Sequence, residues 1–327
     1  MRFLVIGLGS MGKRRVRCLK ALNQSEILGI DPREDRRKKT EDKYSIKTYD
    51  SIDKIILEDI DAFIISTPPD LHTQYLELAI SNKIPAFVEA SVLLEEVEFV
   101  SKKNIENVFI APSCTLRYHP LVKEIKRIVE AKEFGKITNF TYHSGQYLPD
   151  WHPWEDVKDF YVSKRETGGG REIVPFELTW LVDTFGFPND IKGYFSKTID
   201  FGSEIEDTYA FVLKYDKYIG SMIVDVASRF ATRSLILNFE NGQLRWNWED
   251  AELKIYDASN DKWSAIEQLQ GNNEEGYNKN IVEEMYIDEV DAFIKGIEDI
   301  TLFSNSISDD IKVLKLLNQI EISDGGF

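Results

Sequence analysis

The sequence predicts an α/β chain, with an N-terminal parallel sheet over residues 1–117 and a second α+β domain over 118–327 built on a large, open, mostly antiparallel sheet. Three observations carry this expectation. An apolar run at 3–6 feeds straight into a glycine-rich turn and a helical segment; strand and helix signals then alternate to about residue 111; beyond residue 117 apolar residues recur with period two. At 327 residues the chain is long enough for two hydrophobic cores.

In the first part the pattern predicts strands at 3–7, 27–31, 46–49, 61–66, 85–89 and 107–111. Helices are expected at 11–22, 33–43, 51–57, 70–81 and 94–103. Such alternation implies parallel strands joined by helical crossovers. In the second part Leu121, Ile125, Ile128 and Val129 mark a helix at 119–131, and Phe176, Trp180, Leu181 and Phe185 mark another at 175–186. Period-two alternation places strands at 137–144, 190–195, 208–215, 219–227, 234–240, 242–248 and 252–257, and two helices, 279–297 and 308–320, close the chain. Leu235, Leu237 and Phe239 lie beside Ile236, so both faces of that strand are apolar. One face is expected to meet helices and the other a second subunit, giving a homodimer or homotetramer through the C-terminal sheet.

Lys and Arg number 40 against 56 Asp and Glu, a formal charge of −16 that disfavours nucleic-acid and anionic-membrane partners. Any anionic cofactor must then be held by local dipoles and a few basic side chains. The first apolar run is too short for a membrane span or a signal peptide, so a cytoplasmic location is expected. Cys18 and Cys114 have neither metal-ligand spacing nor a nearby His cluster, so no metal site and no disulfide is expected.

Gly7-Leu8-Gly9-Ser10-Met11-Gly12 follows the first strand, and Asp31 ends the second. This is the arrangement of a dinucleotide site. Gly7 permits the tight turn, Gly9 lets backbone approach a pyrophosphate, and Gly12 lets the next helix sit close, its N–H groups facing the phosphates. Asp31 suits the two hydroxyls of an adenosine ribose and would repel a 2′-phosphate, so NAD is favoured. Arg33, Arg36, Arg37, Lys38 and Lys39 either form a solvated helix face or pair with the extra phosphate of NADP. Ser66-Thr67-Pro68-Pro69-Asp70-Leu71-His72 sits at the C-terminal end of a buried strand, where the paired prolines would hold the loop extended beside the nicotinamide. A plain helix start is the alternative for the prolines, and a capping role for His72.

Together with the strand Ala86-Phe87-Val88-Glu89 and the sheet domain that follows, these motifs resemble the Gfo/Idh/MocA family along essentially the whole chain. The resemblance implies a Rossmann domain, a second domain with a large open sheet, substrate held between them, and NAD(P)-dependent oxidation or reduction of sugars, inositols or nucleotide sugars. Gly145 through Pro153 and Thr167 through Gly170 resemble a subgroup associated with bacterial surface-sugar pathways.

The chain departs from the family at two places. Glu-Lys-Pro is replaced by Glu89-Ala90-Ser91, which removes the lysine that the resemblance places against cofactor and substrate, although Glu89 and Ala90 keep that position at the nicotinamide edge. The expected His after the glycine triplet falls at or next to Phe176, and the later Asp near Thr179. Removing a hydroxyl proton still requires an acid or base. Glu172, Glu177 and His119 are the candidates for it, with Tyr118, Tyr147 and His152 as further stand-ins and Arg117 or Arg171 polarising a carbonyl. Trp151 and His152 belong to an aromatic loop suited to a sugar face. Two other readings stay open: a sugar enzyme that retains NAD through an elimination or epimerisation, and a catalytically inactive dinucleotide- and sugar-binding protein.

Overall fold

The computed structural model describes residues 1–103, 107–151, 156–268 and 282–325. The first elements are β1 (Arg2–Ile6), α1 (Ser10–Ala21), β2 (Glu26–Ile30), α2 (Glu34–Tyr44), β3 (Lys47–Tyr49), β4 (Ala62–Ile65), α3 (His72–Asn82), β5 (Ala86–Val88), α4 (Leu94–Ser101) and β6 (Ile110–Pro112). There follow α5 (Pro120–Ala131), β7 (Ile137–Tyr147), α6 (Gly170–Phe185), β8 (Asp190–Ser196), β9 (Thr208–Lys214), β10 (Ile219–Asp225), β11 (Ala227–Phe239), β12 (Gly242–Asn247), β13 (Glu252–Asp257), β14 (Lys262–Glu267), α7 (Glu283–Gly296) and α8 (Ile307–Ser323).

The chain divides into two compact units, one of Met1–Thr115 with Glu284–Lys312, the other of Leu116–Glu283 with Val313–Phe327. The first break lies two residues before the expected boundary at 117, but the return of 284–312 to the first unit was not foreseen. Its cause is aromatic packing. Phe293 of α7 is fully buried, with ring centroids 5.8 Å from Phe87 and 5.7 Å from Phe109, so α7 covers the β5–β6 side of the first sheet.

That sheet has the order β3-β2-β1-β4-β5-β6, and its pairings are all parallel. Phe3 to Ile6 and Ala62 to Ile65 are buried throughout, as expected of central strands covered on both faces. Strand order reverses between β1 and β4, the place where open parallel sheets bind ligands beyond the carboxyl ends. The helix expected at 51–57 is instead two short 3₁₀ turns, Ile52–Lys54 and Leu57–Asp59, the first capped by Ser51 accepting from the Asp53 N–H.

The second sheet has the order β14-β13-β12-β11-β7-β10-β9-β8, antiparallel except where β10 runs parallel to β7. Its inner residues, among them Phe140, Tyr142, Phe211, Met222, Leu235, Leu237 and Trp246, are buried. The opposite face presents Tyr194, Val212, Ile219, Ile223, Ile236 and Trp263 to solvent. The edge strand β14 was not expected, because its exposed Lys262–Glu267 sequence carries little apolar signal. α6 begins at Gly170 rather than 175, with Pro175 inside it. Its first turn is fixed from outside, the Gly170 N–H donating to the Glu206 carbonyl and Arg171 pairing with Glu321.

Candidate dinucleotide site and the buried charge clusters

Gly7 has φ +89°, and a Cβ there would lie 2.5 Å from the Ser66 carbonyl oxygen. A Cβ at Gly12 would lie 1.8 Å from the Gly7 carbonyl oxygen, so α1 can approach the turn only with glycine at its third residue. Gly9 differs. A Cβ there would meet nothing closer than Arg36 Nη1 at 3.7 Å, an ordinary contact. The protein's own packing therefore tolerates a side chain at Gly9, and the space that residue keeps clear lies at a helix N-terminus without a side-chain cap or an acidic residue in its first turn. Partly exposed Ser10 and Met11 continue this surface, which suits a phosphate.

Asp31 is 2% exposed and accepts the Leu8 N–H on Oδ2 at 2.8 Å and the Arg33 N–H on Oδ1 at 2.9 Å. These bonds fix the carboxylate and leave further lone pairs for ribose hydroxyls. The basic cluster is largely engaged within the protein. Arg33 grips Asp35 at 3.0 Å, Arg37 donates to the Asp31 and Pro32 carbonyls, and Lys38 pairs with Glu34. Arg33 thus helps to set Asp31 through its backbone while its guanidinium stays on Asp35.

Beyond β4, the Ser66 N–H donates to the Ile6 carbonyl, and partly exposed Thr67 and Pro68 lead into buried Pro69. Among the described residues Thr67 Oγ1 is buried without a partner, at the edge where a ligand would lie. His72 is buried and its Nε2 lies 2.9 Å from the Thr67 carbonyl, so it fixes the loop; burial holds its pKa below the ordinary imidazole range.

Beyond β5, Arg15 of α1 donates from Nε and Nη2 to the two oxygens of Glu89 at 2.7 and 2.9 Å, and from Nη1 to Glu289 of α7 at 2.8 Å. Glu289 also accepts Ser113 Oγ, the Cys114 N–H and Thr115 Oγ1. Neither Arg15 nor Glu289 was singled out in the sequence. Arg15 reads there as one more basic residue of a surface helix, and Glu289 lies 274 positions away.

In the second unit the candidate proton carriers separate. Glu177 is fully buried, and its oxygens accept Tyr142 Oη at 2.7 Å, Ser144 Oγ at 2.8 Å, Trp180 Nε1 at 3.2 Å and Arg233 at 2.8–2.9 Å. These bonds hold Glu177 between α6 and the second sheet. His119 is fully buried between Trp246 and Trp248, with ring centroids 5.3 Å from each, and burial together with the Arg233 charge lowers its pKa to about 3. It is neutral near pH 7.

Glu172 is different. Tyr161 Oη donates to its Oε1 at 2.6 Å, Oε2 is closed from solvent without a partner among the described residues, and burial raises its pKa to about 7. Arg117 bonds the Thr179 carbonyl and lies near Asp183, and Arg171 bonds Glu321 and the Glu166 carbonyl, so both serve the packing of α6. Tyr118, Tyr147 and Trp151 remain partly exposed, Tyr147 beneath Arg229 at 3.9 Å. His152 lies outside the described residues. Among the described residues no cluster of His, Cys, Asp or Glu is arranged to hold a metal, and no helix is long and apolar enough to cross a membrane.

Residues 1–101 match the family model described as "Oxidoreductase family, NAD-binding Rossmann fold", GFO_IDH_MocA. The "Uncharacterized oxidoreductase YrbE" of Bacillus subtilis (strain 168) is 31% identical over 137 residues, a match spanning 40% of each protein. Over 99% of this chain the fold is similar to that of an oxidoreductase from Agrobacterium radiobacter in complex with NAD+, L-tartaric acid and magnesium (TM-score 0.84, 14% identity, 96% of that chain). It is equally similar to levoglucosan dehydrogenase in complex with NADH and levoglucosan (TM-score 0.84, 16% identity, 97% of that chain). A UDP-N-acetylglucosamine 3-dehydrogenase, GnnA from Acidithiobacillus ferrooxidans, matches with TM-score 0.78 at 15% identity, over 99% of this chain and 97% of that one. With the glycine turn, the helix N-terminus and Asp31 arranged as described, the N-terminal third of this chain matches the NAD-binding Rossmann domain of the Gfo/Idh/MocA oxidoreductase family.

Proposed function

We propose that this protein is an NAD-dependent oxidoreductase acting on a carbohydrate or nucleotide-sugar alcohol or its ketone. The observation that carries the reading is Gly9, a glycine without a steric reason of its own, at an uncapped helix N-terminus beside a fixed Asp31. The turn and the first N–H groups of α1 would hold the pyrophosphate, and Asp31 the adenosine ribose. Ser66 to Pro69, Glu89 and Ala90 would line the nicotinamide edge. When bound, the nucleotide supplies hydride transfer. The engagement of Arg33, Arg37 and Lys38 within the protein favours NAD over NADP.

For the proton step we assign Glu172 acting through Tyr161, the carboxyl whose pKa of about 7 suits proton exchange near neutral pH. Tyr161 Oη would accept the substrate hydroxyl proton as its own proton passes to Glu172 Oε1. Two of the solved structures of similar fold are sugar or nucleotide-sugar dehydrogenases, which supports the substrate class. The apolar outer face of the second sheet supports a homodimer or homotetramer, and we place the protein in the cytoplasm.

The test is a thermal shift with NAD+, NADH and NADPH, followed by turnover of NADH on a panel of keto-sugars. Protection by NADH and oxidation of it on at least one sugar is the expected result. No protection by any nucleotide overturns the reading, and protection without chemistry on any sugar favours a binding protein.

A further inference from the structure

We propose that the Glu89–Arg15–Glu289 cluster, with Ala90 beside it, makes the site prefer the oxidised nicotinamide nucleotide over the reduced one; this rests on the dinucleotide reading above. Arg15 lies between two carboxylates and is fully buried, its guanidinium 4.4 Å from the Phe87 ring centroid. Four donors converge on the two oxygens of Glu289. Two negative charges against one positive leave the cluster at −1. The positive member is sealed beneath the strand ends, whereas the Glu89 side chain keeps 15% of its exposure and receives Ser66 Oγ at 3.3 Å.

Glu89 and Ser66 stand at the carboxyl ends of β5 and β4, on the opposite side of the glycine turn from Asp31. A dinucleotide whose adenosine is held at Asp31 must extend its other half over that edge. The oxidised nicotinamide ring carries one positive charge and the reduced ring none, while the rest of the molecule is the same. A carboxylate at this edge therefore attracts one redox state and is nearly indifferent to the other. Arg14, the neighbouring cation on α1, turns its guanidinium onto the Tyr286 ring at 4.3 Å and bonds Met11 Sδ. At the partly exposed position after Glu89 stands Ala90, which adds no cation to offset the carboxylate.

The test is calorimetric titration of nucleotide-free protein with NAD+ and NADH separately, which requires no turnover. Wild type is expected to bind NAD+ the more tightly. Ala90→Lys, at a partly exposed position, should cut the NAD+/NADH affinity ratio by about fivefold or more. Ala90→Met matches its bulk without the charge and should leave the ratio unchanged. Glu289→Gln should lower the ratio in the same direction without altering the exposed edge. A ratio that stays within twofold of wild type in Ala90→Lys, or falls equally in Ala90→Met, overturns the proposal while both nucleotides still bind. Absence of heat with either nucleotide overturns the dinucleotide reading and this proposal with it.

Discussion

Arg233 of β11 clasps Glu177 of α6 through Nε at 2.9 Å and Nη2 at 2.8 Å, and this pair fastens the helix to the sheet beneath it. Both members are largely buried, so removing one leaves the charge of the other without this partner. Glu177→Gln is therefore expected to destabilise the fold by about 3–5 kcal/mol. Chemical denaturation checks this, and the affinity for NADH, which resides in the first unit, should stay within twofold of wild type in the folded fraction.

The glycines of the turn make a contrasting pair. Gly12→Ala places a Cβ 1.8 Å from a backbone oxygen and should lower Tm sharply or prevent folding. Gly9→Ala meets nothing closer than 3.7 Å and should melt like wild type, yet lose at least tenfold in NADH affinity measured by fluorescence titration. A Gly9→Ala protein that binds normally would remove the main support for the phosphate site.

The Glu172 carboxyl has its pKa raised from 4.5 to about 7 by burial. The folded state therefore binds a proton that the unfolded chain releases between those values. The associated stability is fully present below about pH 4.5 and lost as pH rises through about 7. Relative to Glu172→Gln, wild type should lose stability across that window in melts at a series of pH values. Tyr161→Phe, which removes the hydrogen bond favouring the carboxylate, should move the midpoint upward. With a sugar in turnover, Glu172→Gln should reduce kcat by about 10²–10⁴-fold.

His119 has the opposite sign. Burial first and Arg233 second lower its pKa from 6.5 to about 3, so the unfolded chain takes up a proton that the folded protein refuses. That contribution is present above pH 6.5 and lost as pH falls toward 3. His119→Phe should blunt the fall of Tm in this acid range while leaving any sugar turnover at neutral pH within a few-fold of wild type.

Ile223 of β10, exposed beside His143 of β7, sits in the middle of the apolar outer face. Ile223→Asp should convert a dimer to a monomer in sedimentation velocity, with unchanged NADH binding. A wild-type monomer at micromolar concentration would remove the proposed role of that face.

The N-terminal motif was legible in the sequence because its members lie close together along the chain: Gly7, Gly9 and Gly12 share one turn, and Asp31, at the end of the next strand, accepts the Leu8 N–H from that turn. The proton carriers were not, because burial is a tertiary property. Glu177 and Glu172 lie five positions apart on one helix, yet one faces Tyr142, Ser144 and Arg233 while the other bonds Tyr161 and, among the described residues, leaves Oε2 without a partner. Helical periodicity separates the two faces but does not say what covers each. Arg15 and Glu289 were illegible for a related reason, since their meeting depends on α7 returning to a sheet completed some 170 residues earlier.

The order in which a ribosome releases this polypeptide differs from the order in which its parts can be finished. When Thr115 emerges, Phe87 and Phe109 still await Phe293, and Arg15 lacks one of its two acids. An excised 1–115 fragment should consequently be insoluble or molten, because the nucleotide-binding unit cannot close until residues 284–312 have also been made.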